Sequence, residues 1–192
     1  FQYCDLLLSL GQTQAVLERA KVTLSWMEQQ NWLLDIALDK LTIGKALMRQ
    51  SLENQTTDFT DAQIHLHQAV EGLREAGGQH RLPWGLLARA TLHQEQKDWQ
   101  LAWTDLNETE EIAEYGQMKL HLTDYHLAAC RMIQAQLAEA GDSFEIIESF
   151  NIIEKNETLN LSKDEMEARF KEHLSQAAAL VEETEYHRRD DE

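Results

Sequence analysis

The segment "GQMKLHLTDYHLAAC" carries side chains that metal sites and nucleophilic catalysis both use. Five such residues fall within ten positions: His121, Asp124, Tyr125, His126 and Cys130. Imidazole nitrogens and thiolates bind zinc, and a thiol beside a histidine can act as a nucleophile. Whether these groups can meet depends on where their side chains point, and therefore on the secondary structure of the segment.

Helix geometry separates these residues. An α-helix turns by about 100° per residue, so His121, Asp124 and Tyr125 share one face, while His126 and Cys130 lie on the far side. The two histidines lack the i, i+4 spacing with which one helix chelates zinc. We therefore predict surface and packing roles for these histidines, with no catalytic residue, no metal site and no cofactor. His126 and Cys130 are expected to face a neighbouring helix.

The composition excludes several classes of partner. The chain has 34 acidic and 17 basic residues, a formal net charge of −17. Nucleic-acid binding depends on clustered Lys and Arg, so we expect no nucleic-acid partner. There is no run of about 18 apolar residues, and no membrane partner is expected. The two cysteines cannot form a disulfide framework and favour a reducing, cytoplasmic location.

Turn-forming residues are rare, which predicts an all-α fold. The chain contains one proline and eight glycines, too few for the frequent turns of sandwiches and barrels. Four short polar breaks divide it, at Leu10–Thr13, Thr57–Thr60, Lys97–Gln100 and Ala140–Ser143. Helical patterns flank each of the first three breaks, with a period of about 40 to 46 residues. A period in this range is typical of an α-solenoid built from antiparallel helix pairs.

Apolar stripes follow the second and third breaks at helical spacing. They comprise Phe59, Ala62, Leu66, Ala69 and Leu73 in one helix, and Trp99, Ala102, Trp103, Leu106 and Ala113 in the other. The small residues permit close helix–helix approach. Capping boxes are predicted at Thr60–Gln63 and Ser162–Glu165, where helices should begin.

The last unit departs from the repeat. Residues 144–162 form an apolar-rich insert, for which we predict a short extra helix that caps the array or fills a groove. The helix that follows is expected to bury a stripe formed by Met166, Phe170, Leu174, Ala178 and Val181.

These units resemble tetratricopeptide repeats. That family places an aromatic residue at the turn, a small residue three positions later and another small residue seven after that. The corresponding residues are Phe59, Ala62 and Ala69 in one unit, and Trp99, Ala102 and Thr109 in the next. The glycine expected in the first helix is present as Gly44 and is replaced by Ala90 in the next unit. The resemblance implies a right-handed solenoid of about four repeats, with helices longer than usual for the family.

Longer strings, such as "NWLLDIALDKLTIGKAL" and "EIAEYGQMKLHLTDYHLAACRM", look like the C-terminal sensor repeats of bacterial signal-transduction ATPases, the STAND or NACHT-like proteins. This resemblance implies a sensor or oligomerisation arm, while a separate domain hydrolyses nucleotide. The chain itself contains no phosphate-binding G-x-x-x-x-G-K-[ST] loop. We expect a single repeat domain over 1–192, with repeats near 1–30, 31–78, 79–115 and 116–186. The chain starts within a helical pattern, which suggests a fragment of a larger protein.

The inner, concave face of such a solenoid is the predicted binding site for a protein or peptide. Its candidate contacts are Lys45, Arg49, Trp84, Thr91, Glu95, His121, Asp124 and Arg131. Exposed repeat ends would also allow self-association. Trp84, Trp99 and Trp103 could instead form a ligand cage, but we predict Trp99 and Trp103 in the core, with only Trp84 partly exposed. Two alternatives to the binding scaffold stay open. One is a regulatory enzyme segment whose histidines hold a metal or small ligand, and the other is a structural spacer.

Overall fold

Helices dominate the fold, which confirms the all-α prediction at the level of fold class. The computed structural model describes residues 2–140, 150–154 and 157–184. The helices of this part are α1 (Gln2–Ser9), α2 (Thr13–Gln30), α3 (Leu33–Glu53), α4 (Thr60–Glu75), α5 (Leu82–Glu95), α6 (Trp99–Tyr115), α7 (Lys119–Ala140) and α8 (Lys163–Thr184). Two strands, β1 (Phe150–Glu154) and β2 (Glu157–Leu161), lie between α7 and α8 in the chain. In the described ranges, none of the helices is both long enough and apolar enough to cross a membrane.

The chain divides into two compact units, Phe1–Leu92 and His93–Glu192, with the boundary near the end of α5. The first unit is built around α3, which packs against α2 and α4. Ile43 joins a buried cluster with residues of α1 and α2, including Leu7 and Val16. Leu41 joins a second cluster with residues of α4 and α5. Because α3 is covered on two sides, its central run "LTIG" is entirely buried.

A close approach of α3 and α4 explains the glycine within α3. A Cβ atom built on Gly44 would lie 2.7 Å from Cγ of Leu66, far inside van der Waals contact. The small residues expected at the α4 positions, Ala62 and Ala69, are both buried in the same interface. These two helices therefore pack closely because their sequences place small side chains where they meet.

The first six helices all end in the same way. One or two positions after each helix, the chain has a residue with positive φ: Gly11, Asn31, Gln55, Gly77, Lys97 and Gln117. At Lys97, its N–H donates to Gln94 O at 2.9 Å, and the next N–H, of Asp98, donates to His93 O at 2.8 Å. The same pair of hydrogen bonds, to the carbonyls three and five residues back, closes the other five helices. This is the Schellman motif, in which a left-handed residue satisfies carbonyls that the helix leaves unpaired.

Of the two predicted capping boxes, one is confirmed and one is wrong. Glu165 Oε2 accepts from both the N–H and the hydroxyl of Ser162 at 2.7 Å, immediately before α8. At α4 the predicted cap of Thr60 is absent, because Thr60 already lies within the helix. Asp58 acts there instead, its Oδ1 accepting from the Thr60 N–H at 3.0 Å. Hydrogen bonds from Thr60 lower the pKa of Asp58.

In the second unit α7 packs against both α6 and α8, and β1 lies against α6. Trp103 of α6 is buried, and its Nε1–H donates to Oε1 of Gln136 on α7 at 3.1 Å. The buried positions Ala102, Trp103, Leu106 and Ala113 confirm four members of the stripe predicted for α6, whereas its first member, Trp99, is only half-buried.

The insert contains strands where we expected a helix. β1 and β2 form an antiparallel hairpin, in register from Phe150 opposite Leu161 to Glu154 opposite Glu157. The sequence "FNIIE" is rich in residues that favour strands, and pairing with β2 satisfies its backbone groups. The other residues predicted to form the insert helix, 144–149 and 155–156, lie outside the described ranges.

The buried stripe of α8 also differs from the predicted one. Met166 is buried as expected, but Leu174 and Ala178 are exposed. His173 and Ala177 are buried in their place. A polar histidine thus occupies the face that the apolar pattern assigned to leucine.

Candidate functional site

A partly buried tryptophan and methionine of the first unit lie near basic residues of their own helices or turns. Trp84 of α5 and Met48 of α3 are partly buried and pack on the cluster that joins α3, α4 and α5. Lys45 and Arg49 lie on α3, three residues before and one after Met48. Arg81 places its guanidinium 5.6 Å from the Trp84 ring centroid, a cation–π contact. We call these five residues the Trp84 surface.

Acidic residues of the same unit hold the cations of the Trp84 surface in place. Lys45 forms an ion pair with Asp5 of α1. The Nε–H of Arg49 donates to Oε1 of Glu53 at 3.1 Å, and the Thr13 hydroxyl donates to the same oxygen at 3.0 Å. These pairs orient the two side chains.

The other predicted contact of α5 in this unit, Thr91, is exposed, but its hydroxyl donates to Leu87 O at 2.9 Å. In the second unit, Glu95 at the end of α5 is exposed. On α7, Arg131 is exposed, and His121 and Asp124 are half-buried. The α7 residues share one stripe of the helix, as their spacing of three and seven predicts. Whether these positions bind a partner stays a prediction.

The remaining residues of the histidine-rich segment pack inside the second unit. His126 and Cys130 are buried against α8, which confirms that they face a neighbouring helix. Tyr125 is also fully buried, although helix geometry alone placed it on the face of His121. Its ring lies against two imidazoles, with centroid distances of 4.8 Å to His126 and 5.7 Å to His173.

Two buried histidines meet between α7 and α8. The Nδ1 atoms of His126 and His173 are 2.9 Å apart, a hydrogen-bond distance. Desolvation, and next the mutual repulsion of the two rings, lowers the pKa of His126 to about 4. Desolvation, and next the charge of Arg169, lowers the pKa of His173 to about 4. Both imidazoles are therefore neutral at pH 7, one donating through Nδ1–H and the other accepting.

The thiol of Cys130 is unsuited to nucleophilic chemistry. Burial raises its pKa to about 11, and its Sγ–H donates to the carbonyl of Phe170 at 3.6 Å. Since the thiolate is the reactive form, a buried and protonated thiol is inert. Within the part of the chain that the structure describes, no three or more His, Cys, Asp or Glu side chains form a group that could hold a metal ion.

Sequence reasoning missed several buried polar contacts. His93 Nε2 lies 3.9 Å from Oδ2 of Asp105, with both side chains buried. In the first unit, Nη1 of the buried Arg89 lies 3.2 Å from Nδ1 of His67. His173 was missed as the partner of His126. The sequence gives no signal for these pairs, because each joins polar residues of different helices.

The three tryptophans of the predicted ligand cage differ in burial. Trp103 is buried as predicted, whereas Trp99 is only half-buried, which corrects its assignment to the core. The Trp99 indole N–H donates to Oε2 of Glu139 at 3.0 Å, and Lys97 Nζ donates to the other oxygen of this carboxylate at 2.7 Å. Trp84 is partly buried, in agreement with the prediction that it would be partly exposed.

Comparisons of the chain with protein-family models, with curated proteins and with solved structures returned no match.

Proposed function

We propose that this chain is a non-enzymatic scaffold of about four tetratricopeptide-like helix pairs, arranged as a right-handed solenoid, that binds a protein or peptide segment. In this proposal it serves as the sensor or oligomerisation arm of a larger bacterial signalling protein in the cytoplasm. The observation that carries the binding role is the Trp84 surface: Trp84 and Met48 pack, partly buried, on the same cluster, Arg81 lies over the Trp84 ring, and the ion-paired Lys45 and Arg49 neighbour Met48 along α3.

Recurring local features support the repeat. The left-handed ends Gly11, Gln55 and Lys97 recur at intervals of 44 and 42 residues, close to the period of the polar breaks. Residues at equivalent positions after the turns are buried alike, Ala62 with Ala102 and Ala69 with Thr109. The Thr109 hydroxyl donates to Asp105 O at 2.8 Å, so it occupies a small-residue position without an unsatisfied donor.

The chemistry of the Trp84 surface supports a peptide ligand. Tryptophan and arginine are enriched among the residues that contribute most to protein interfaces. A large aromatic ring can cover an apolar side chain of the partner, while Lys45, Arg49 and Arg81 can bind its carboxylates or carbonyl groups. The unpaired thiols Cys4 and Cys130 are consistent with a reducing location.

A displayed peptide library tests the binding role. Peptides selected against the wild-type chain should bind Trp84→Ala more than tenfold more weakly, since a central tryptophan typically contributes about 2 kcal/mol or more. Isothermal titration calorimetry measures the affinities, and circular dichroism verifies that the variant is folded.

Trp26→Ala is the matched control, because Trp26 of α2 is 58% exposed and lies outside the Trp84 surface. This variant should bind the selected peptides like the wild type. Peptides that bind Trp84→Ala with unchanged affinity would remove this surface from the proposal. Failure to select any peptide would favour a structural spacer.

A metal-binding regulatory segment is the second candidate, and the observation that favours it is that two buried imidazoles, those of His126 and His173, meet between α7 and α8. Elemental analysis of the purified chain distinguishes the two candidates. Stoichiometric zinc that is lost from a His126→Leu/His173→Leu variant would support the metal site and contradict the scaffold interpretation of these histidines.

A further inference from the structure

Two buried histidines face each other in the contact between α7 and α8. His126 and His173 are 7% and 6% exposed, and their Nδ1 atoms face each other at 2.9 Å. This distance requires one Nδ1 to carry a hydrogen and the other to present its lone pair. The Tyr125 ring packs against both imidazoles and helps to fix their orientation.

Protonation changes this contact in two steps. A first added proton can reside on Nε2 of the donor ring, which keeps the Nδ1–H···Nδ1 hydrogen bond but leaves a charge in a buried site. A second proton must occupy the accepting Nδ1, so that two N–H groups on two cations face each other at 2.9 Å. Both charges would be buried and would lose the hydration that stabilises a charged imidazole in water. The second proton would in addition remove the hydrogen bond between the two rings.

Few nearby groups favour the charged histidines. On α8, Glu172 stabilises the charged form of His126, whereas Arg169 destabilises the charged form of His173. Arg169 and Glu172 form an ion pair with each other at 3.7 Å. On α7 the nearby groups are the neutral thiol of Cys130 and the adjacent Arg131, which acts on this thiol. The dominant influence on both imidazoles is burial, which favours their neutral forms.

We propose that the His126–His173 contact is a pH-operated latch, which holds α8 on α7 at neutral pH and releases α8 on mild acidification. Release separates Cys130 from Phe170 and uncovers a thiol that is otherwise buried. The lowered pKa of each histidine supports the latch, because opened helices bind protons that closed helices exclude. This regulation does not depend on the proposed peptide-binding role.

Cys130 provides a direct readout. In a Cys4→Ser background, labelling by a disulfide reagent that reacts in acid is measured at pH 7 and pH 5. Each rate is divided by the rate for the denatured chain at the same pH. The normalised rate should rise at least tenfold at pH 5. Hydrogen exchange resolved by peptide should show α8 losing protection over the same range, while α3 and α4 keep theirs.

Two variants separate the latch from other acid effects. His126→Leu/His173→Leu removes both titrating groups and should abolish the increase in labelling. Glu183→Gln removes the ion pair between Glu183 of α8 and Lys119 of α7, and should leave the increase in place. An increase that persists in the double variant, or that disappears in Glu183→Gln, would overturn the proposal.

The wild-type chain supplies a test that does not require a folded double variant. NMR titration of the imidazole C–H signals should find His126 and His173 uncharged at pH 6. Charging of the pair above pH 6, or constant protection of α8 and Cys130 down to pH 5, would show that no latch exists.

Discussion

Individual side chains determine how closely the helices of this chain approach. Gly44 lies directly against Leu66, and a Cβ atom at this position would force the Leu66 side chain or one of the two helices to shift. Trp103 has the opposite role, filling the α6–α7 interface with a large ring whose N–H is satisfied by Gln136. Packing at both positions is close enough that a change in volume should be felt.

Trp103→Ala should therefore destabilise the second unit by about 3–5 kcal/mol, the usual cost of truncating a buried tryptophan. Trp99→Ala should cost clearly less, because Trp99 is half-buried and loses mainly its hydrogen bond to Glu139. Urea denaturation of both variants measures the difference. Equal losses would place Trp99 in the core, as the sequence alone suggested.

Periodicity predicted the buried residues of α4 and α6 because apolar side chains reveal their face by spacing alone. It failed at His173, because the partner that satisfies this buried imidazole, His126, lies on another helix, 47 positions away in the sequence. Tyr125 was misplaced for a related reason, because two imidazoles cover its ring. The Trp84 surface was predicted only in part: Lys45, Arg49 and Trp84 were named, whereas Met48 and Arg81 depend on contacts that spacing does not encode.

At the scale of the elements, the first six helices end with the same backbone conformation although the residue types at these ends differ. Only two of the six left-handed positions are glycine. The other four carry side chains, for which positive φ is sterically unfavourable. The hairpin β1–β2 was missed because a short apolar run fits a helix or a strand equally well.

Gln117→Gly should stabilise the chain by about 0.5–1 kcal/mol, since glycine adopts the left-handed conformation of this helix end without strain. The thermal midpoint of the variant should rise. Gly77→Ala, at the equivalent end of α4, should lower the thermal midpoint, because alanine is strained at positive φ. A Cβ atom meets no neighbour there, so backbone strain is the only effect that this variant tests. A fall in the midpoint of Gln117→Gly would mean that the glutamine side chain stabilises this turn.

At the scale of the whole molecule, proton binding links several distant sites to stability. His126 and His173 have a pKa of about 4 in the folded chain, below the ordinary value of 6.5. Between these values the unfolded chain binds more protons, so stability decreases as the pH falls through this window. The capping carboxylates Asp58 and Glu165, whose pKa values are lowered, add a loss at still lower pH, whereas Asp39, whose pKa is raised by burial, acts in the opposite direction.

The free energy of unfolding of the second unit should therefore drop by roughly 2–3 kcal/mol between pH 7 and pH 4.5 for each buried histidine that becomes charged. Urea denaturation at a series of pH values, monitored by tryptophan fluorescence, measures this slope. A flat profile down to pH 5 would contradict the assigned protonation states.

The common ending of the first six helices also shows where the polypeptide could be cut and rejoined. Gln55 and Lys97 have φ values of 54° and 61° and take part in the same pair of hydrogen bonds. The chain therefore has an equivalent backbone conformation where residues 56 and 98 begin. A second copy of residues 56–97 inserted after Lys97 would meet at its start the same backbone geometry that residue 56 meets now. We therefore expect the backbone at both junctions of such an insertion to keep its present conformation, since this conformation occurs with different side chains at the two positions.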